Sequence, residues 1–66
     1  MKIFFNGSEF KAKEGTSLQT FLEENDLPIS KIAIEINLEV IPKSQYSSFL
    51  LKDGMKIEAI TFVGGG

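Results

Sequence analysis

The sequence predicts an α+β fold in which one helix covers one face of a mixed sheet of four to five strands. Three observations carry this expectation. An Asn6-Gly7 pair separates two alternating segments, a single short helical stripe follows Gly15, and two more alternating segments occupy residues 31–37 and 56–63.

Residues 2–6 alternate, with Ile3 and Phe5 on one side and Lys2, Phe4 and Asn6 on the other, which is the period of a strand. Asn-Gly tolerates the positive φ values of a type I′ turn, so residues 8–13 are expected to return antiparallel to the first strand. Thr16 with Gln19 three residues later has the spacing of a capping box and predicts a helix start. Leu18, Phe21 and Leu22 then form a narrow apolar stripe that ends near Asp26, and Leu27-Pro28 stops the helix because a residue before proline disfavours helical angles. Residues 31–37 set Ile32, Ile34 and Ile36 against Ala33, Glu35 and Asn37, a strand expected to be central. Val40-Ile41-Pro42 reads as a short strand closed by proline, and residues 43–48 as an irregular or single-turn segment with Tyr46 tucked inward. Asp53-Gly54 turns the chain into the last strand, where Ile57, Ala59, Thr61 and Val63 oppose Glu58, Ile60 and Phe62. This order is that of a ubiquitin-like β-grasp, with the first and last strands side by side and parallel because the helix supplies the crossover. The expected organisation is a body over residues 1–63 and a flexible glycine tail over residues 64–66.

At 66 residues the chain has room for one small domain. It contains no Cys and no His, which excludes disulfides, thiolate chemistry, a Cys/His zinc site and a Ser-His-Asp triad. Seven lysines stand against nine carboxylates, and a net charge of -2 argues against binding nucleic acid by phosphate neutralisation. No apolar run is long enough to cross a bilayer and the amino terminus lacks the length of a signal peptide, so the expected location is cytoplasmic with no membrane partner. The carboxylates offer no acid and base pair. Glu23 and Glu24 diverge on the helix, and Glu35, Glu39 and Glu58 fall on solvated positions. Gly15-Thr16-Ser17 precedes a helix but lacks the spacing of a phosphate loop.

What remains is Gly64-Gly65-Gly66. Loose termini and linkers are also glycine-rich. Placed directly after a core strand, however, three glycines reach roughly 10 Å beyond the fold and carry no side chain to block a narrow channel. Such a tail can deliver a carboxylate into the active site of another protein. A carboxylate is a poor electrophile, so it requires activation, most simply as an acyl-adenylate made from ATP on a partner with bound magnesium. No catalytic residue and no bound metal or cofactor is expected in this chain; the partner supplies positioning and charge stabilisation, and Gly66 supplies the acyl group.

Over essentially its whole length the chain resembles the ThiS family, the small ubiquitin-like sulfur carriers of thiazole synthesis. The resemblance rests on the first strand running into Asn6, on Ile36-Asn37 through Val40-Ile41-Pro42 to Tyr46, on Asp53-Gly54 and on the terminal Gly65-Gly66. It implies that a ThiF-like adenylyltransferase converts the Gly66 carboxylate to an acyl-adenylate, that sulfur mobilised by a cysteine desulfurase displaces AMP, and that a ThiG-like thiazole synthase takes sulfur from the resulting thiocarboxylate. Family members often have Arg directly after the proline and Trp three residues beyond it, where this chain has Lys43 and Tyr46. Lysine keeps the charge but loses the bidentate fork, while tyrosine fills much of the space of tryptophan.

The sheet face away from the helix is expected to carry Phe4, Ala33, Ile60 and Phe62, an apolar patch suited to partner docking. Two other functions share parts of this pattern. The small subunit of molybdopterin synthase has the same fold and ending but is usually longer, and a protein modifier would use its tail to form isopeptide bonds.

Overall fold

The computed structural model describes residues 1–61. Strands β1 (Lys2–Phe5) and β2 (Ser8–Lys11) pair antiparallel, with Phe5 opposite Ser8, so that Asn6 and Gly7 alone form the loop. Both have positive φ, 49° and 83°, which is the left-handed geometry a type I′ turn requires.

Helix α1 (Leu18–Glu24) begins one residue later than the capping-box spacing predicts. Its cap is Ser17, whose side chain accepts the Thr20 backbone N–H at 3.1 Å, while the Thr16 hydroxyl donates backwards to the Lys13 carbonyl at 2.6 Å. Gln19 does not close a capping box; its side-chain amide faces Glu23. The first helical N–H groups are met from elsewhere in the chain, Leu18 by the Phe49 carbonyl at 2.7 Å and Gln19 by the Tyr46 carbonyl at 3.0 Å. Asn25 ends the helix by returning its side-chain amide to the Phe21 carbonyl, and Asp26 follows with φ at 55°.

Strands β3 (Ile32–Ile36), β4 (Glu39–Ile41) and β5 (Met55–Thr61) complete a five-stranded sheet of order β2-β1-β5-β3-β4. Strands β1 and β5 are parallel and every other neighbouring pair is antiparallel, as the single helical crossover demands. The middle of the sheet is β5. Strand β3, expected to be central, instead lies between β5 and the short edge strand β4, because the crossover places β5 beside β1.

Ile3 and Phe5 of β1, Ile32, Ile34 and Ile36 of β3 and Ile57 of β5 are all buried with the helical Leu18, Phe21 and Leu22. Phe10 joins Phe5 and Phe21 in an aromatic cluster, the Phe10 and Phe21 rings meeting edge to face at 5.7 Å. Tyr46 and Leu51 close the core from the segment between β4 and β5, where a 3-10 turn (Lys43–Gln45) leads Tyr46 inward. Residues 62–66 lie outside the described residues, and with them the expected end of the last strand and the division between body and tail at residue 63.

Candidate functional site

The backbone leading to the chain terminus is held by β5, the most internal strand. Its described end, Thr61, lies opposite Ile32, and Ala59 is braced by Asn6. The Asn6 side chain accepts the Ala59 N–H at 2.7 Å and donates to the Ala59 carbonyl at 3.4 Å, while the Asn6 N–H reaches the Ile57 carbonyl at 2.9 Å. Asn6 thus serves as both turn former and ladder extension, continuing the β1 contact along β5 past the last backbone pair. Its place beside Gly7 signals the turn; its grip on β5 depends on the register of strands far apart in sequence. Gly64, Gly65 and Gly66, the predicted tail and modification site, lie outside the described residues, as does Phe62.

The outward sheet face can be followed row by row from the strand registers. Ala33 and Ile60 are directly opposite each other, Ala33 half-buried and Ile60 50% exposed. Phe4 is half-buried but opposite Lys56, four positions from Ile60 along β5, or roughly 14 Å at about 3.4 Å per residue. Between them stand Glu58 and its cross-strand partner Glu35, with Val40 opposite Glu35 on the other side. The structure therefore brings Ala33 and Ile60 together and sets Phe4 apart. Phe4 instead lines a shallow depression of about 280 Å³ with Gly7, Lys56 and Glu58. Alternation places a residue on a face, but the separation of Phe4 from Ile60 follows from register, which alternation does not carry.

Three further residues with apolar side chains, Leu38, Val40 and Leu50, are exposed although sequence reasoning did not single them out. Leu38 is 93% exposed at the turn between β3 and β4, and Val40 is 63% exposed on the edge strand. Asn37 ahead of Leu38 was a possible signal for a tight turn, muted by leucine where glycine is usual.

At the opposite end from Thr61, a wide groove of about 820 Å³ runs between β1, β2 and α1, with Lys2, Lys11, Lys13, Glu24 and Asp53 among its lining residues. Asp53 accepts the Lys2 backbone N–H at 2.7 Å, which ties the turn before β5 to the start of β1. Among the described residues no group of three or more carboxylates is placed to hold a metal ion, and no helix is long and apolar enough to cross a membrane. Burial raises the pKa of the Tyr46 phenol, partly offset by a backbone hydrogen bond at Ile34.

Comparison with known proteins agrees with this architecture. The model of the ThiS family matches residues 2–66. A thiazole synthase from Paramagnetospirillum magneticum is 38% identical over all 66 residues, although the chain spans only 20% of that protein's length. The sulfur carrier protein ThiS of Bacillus subtilis is 37% identical over 62 residues, covering 92% of this chain and 94% of that one. Among solved structures, the thiamine biosynthesis protein (ThiS) from Geobacter metallireducens matches with a TM-score of 0.85 and 25% identity, with both chains covered in full. Matched from residue 2 to its last glycine, and sharing its fold with a solved ThiS, the chain belongs to the ThiS family of sulfur carrier proteins.

Proposed function

We propose that this chain carries sulfur for thiazole ring formation in thiamine biosynthesis and that the Gly66 carboxylate is its reacting group. The observation that carries this reading is that the family match runs through Gly65 and Gly66 in a chain with neither Cys nor His. The chain would be a protein co-substrate whose partners perform the catalysis.

In the proposed cycle a Gly66 carboxylate oxygen attacks the α-phosphorus of ATP on a ThiF-like adenylyltransferase, and magnesium pyrophosphate leaves. The acyl carbon of the adenylate is then electrophilic, a persulfide derived from a cysteine desulfurase displaces AMP to leave an acyl disulfide, and a thiol reductant cleaves the S–S bond to release the Gly66 thiocarboxylate. The thiocarboxylate passes its sulfur to a ThiG-like thiazole synthase. The match to a fifth of a thiazole synthase chain supports this last partner, since a unit like this one occurs there within the same polypeptide. ATP and magnesium belong to the activating partner.

The body has two tasks in this scheme. Asn6 and the β1–β5–β3 ladders hold the strand that leads to Gly66. Docking on the activating enzyme uses the outward face, with Ala33 and Ile60 as its apolar pair and Phe4 as a more distant contact; Phe62, which the sequence alternation assigns to the same patch, is proposed to join them.

ATP–pyrophosphate exchange by the cognate adenylyltransferase tests the first chemical step. Exchange should depend on the full chain and be abolished by deleting Gly66. Ile60→Ser should raise the KM for the carrier while leaving its melting temperature close to that of the unaltered chain, because half of that side chain is already exposed. Exchange that survives loss of Gly66 would contradict the proposal.

A further inference from the structure

Among the described residues the sheet ends on β2, and the outer side of that strand is complementary to a second copy of itself. In a hairpin with a two-residue loop the residues flanking the loop exchange both backbone bonds, and bonded pairs alternate from there. Phe5 and Ser8 flank the loop, and Met1 and Ala12 make the same exchange at the far end of the ladder, at 2.7 and 3.0 Å. Ser8, Phe10 and Ala12 thus direct their backbone groups to β1. Glu9 and Lys11 direct theirs away from it, to the side where no strand lies.

The side chains of these two residues are exposed and stand on the outward face, Glu9 opposite Phe4 and Lys11 opposite Lys2. Neither meets an opposite charge across the strand pair, and Lys11 meets a like one, which weakens a sheet. A second copy of β2 laid antiparallel, with Phe10 opposite its equivalent, sets Glu9 of each chain against Lys11 of the other. The register that pairs the charges is therefore also the one that satisfies the outward backbone groups. A shift of one residue sets those groups against residues whose own are already used. A shift of two brings Glu9 against Glu9 or Lys11 against Lys11.

Charged residues commonly blunt an edge strand against indiscriminate pairing. Here one of each sign occupies positions that a two-fold axis brings face to face, so the same charges select this strand as its own partner. The other edge lacks this property. In β4 only Val40 turns its backbone outward, and Pro42, without an N–H, follows the strand.

We infer that the chain self-associates into a two-fold dimer by antiparallel pairing of β2 with β2, its sheet continuous through both copies and its helices on one face. The two β5 strands are then roughly 24 Å apart, five strand spacings at about 4.8 Å each, and run in opposite directions. Their Thr61 ends point away from each other, and Ala33 and Ile60 are clear of the junction. Four-residue strands bury less than the about 800 Å² per partner of a standard interface, so the dimer is a weak one. This inference goes beyond the carrier reading and does not depend on it.

Sedimentation equilibrium of the full chain, from about 10 μM to about 1 mM, tests it. The unaltered chain should follow a monomer–dimer curve. Glu9→Lys and Lys11→Glu should each weaken the dimer by about tenfold or more, because both cross-strand pairs turn repulsive at once. An equimolar mixture of the two variants should associate again, since each offers the charge the other lacks, and so should a chain carrying both changes. Net charge cannot produce this pattern. Glu9→Lys brings the chain from -2 to neutral and Lys11→Glu makes it more negative, so a bulk effect would move the two in opposite directions. Melting temperatures should remain close to that of the unaltered chain, as expected at exposed positions. A chain that stays monomeric throughout, a dimer indifferent to either variant, or variants that mixing does not rescue would overturn the inference. Growth into larger oligomers would overturn it too, because a two-fold junction closes on itself.

Discussion

Tyr46 illustrates how one side chain links local chemistry to stability in this fold. It is nearly fully buried, and its carbonyl accepts the Gln19 N–H at the start of α1. Burial disfavours the phenolate and raises the pKa of the folded state. The sign of the pH effect follows. Below the ordinary tyrosine pKa of about 10 the phenol is protonated whether the chain is folded or not, and its contribution is complete. As the pH rises further, the unfolded chain releases the proton first, and stability falls through the raised folded pKa. The urea midpoint of the unaltered chain should therefore decline more steeply above about pH 10 than that of Tyr46→Phe. Parallel declines would show that Tyr46 is not the linked group.

At the scale of elements, the start of α1 separates what local sequence encodes from what it does not. Thr16 and Ser17 both carry hydroxyls suited to capping. The choice between them is settled from a distance, by the Phe49 and Tyr46 carbonyls that meet the first helical N–H groups and by the Thr16 carbonyl, which accepts the Leu51 N–H at 2.9 Å. Ser17→Ala should cost about 1 kcal/mol in urea unfolding, and Thr16→Ala, which removes only a turn contact, should cost less. The reverse order would restore the capping-box reading. The two hairpins differ in legibility for a related reason. Asn6-Gly7 announces its turn, whereas Asn37-Leu38 adopts the same left-handed path with a residue that does not favour it. Phe4, Ala33 and Ile60 were legible as members of the outward face, but not in their arrangement. Only the pairing of Phe4 with Lys56 and of Ala33 with Ile60 reveals that charged Glu35 and Glu58 divide that face.

For the molecule as a whole, the sheet order β2-β1-β5-β3-β4 puts the strand that leads to the terminus in the middle of the sheet. Two neighbours hold β5 by backbone bonds, and Asn6 extends the grip to Ala59. A strand held on both sides is a firm base for the terminal group that the proposed function threads into another protein, where small errors of placement are expensive in rate. The chemistry proposed above starts from elimination in the sequence, since a chain without Cys or His offers its terminal carboxylate as the group to activate. The direct measurement of the central proposal is the intact mass of the chain after incubation with ATP, magnesium, the cognate adenylyltransferase and a sulfur source. A gain corresponding to one sulfur in place of one oxygen, located at Gly66 and lost when Gly66 is deleted, is the predicted result. An unchanged mass, or stable conjugates with other proteins in place of that gain, would contradict it.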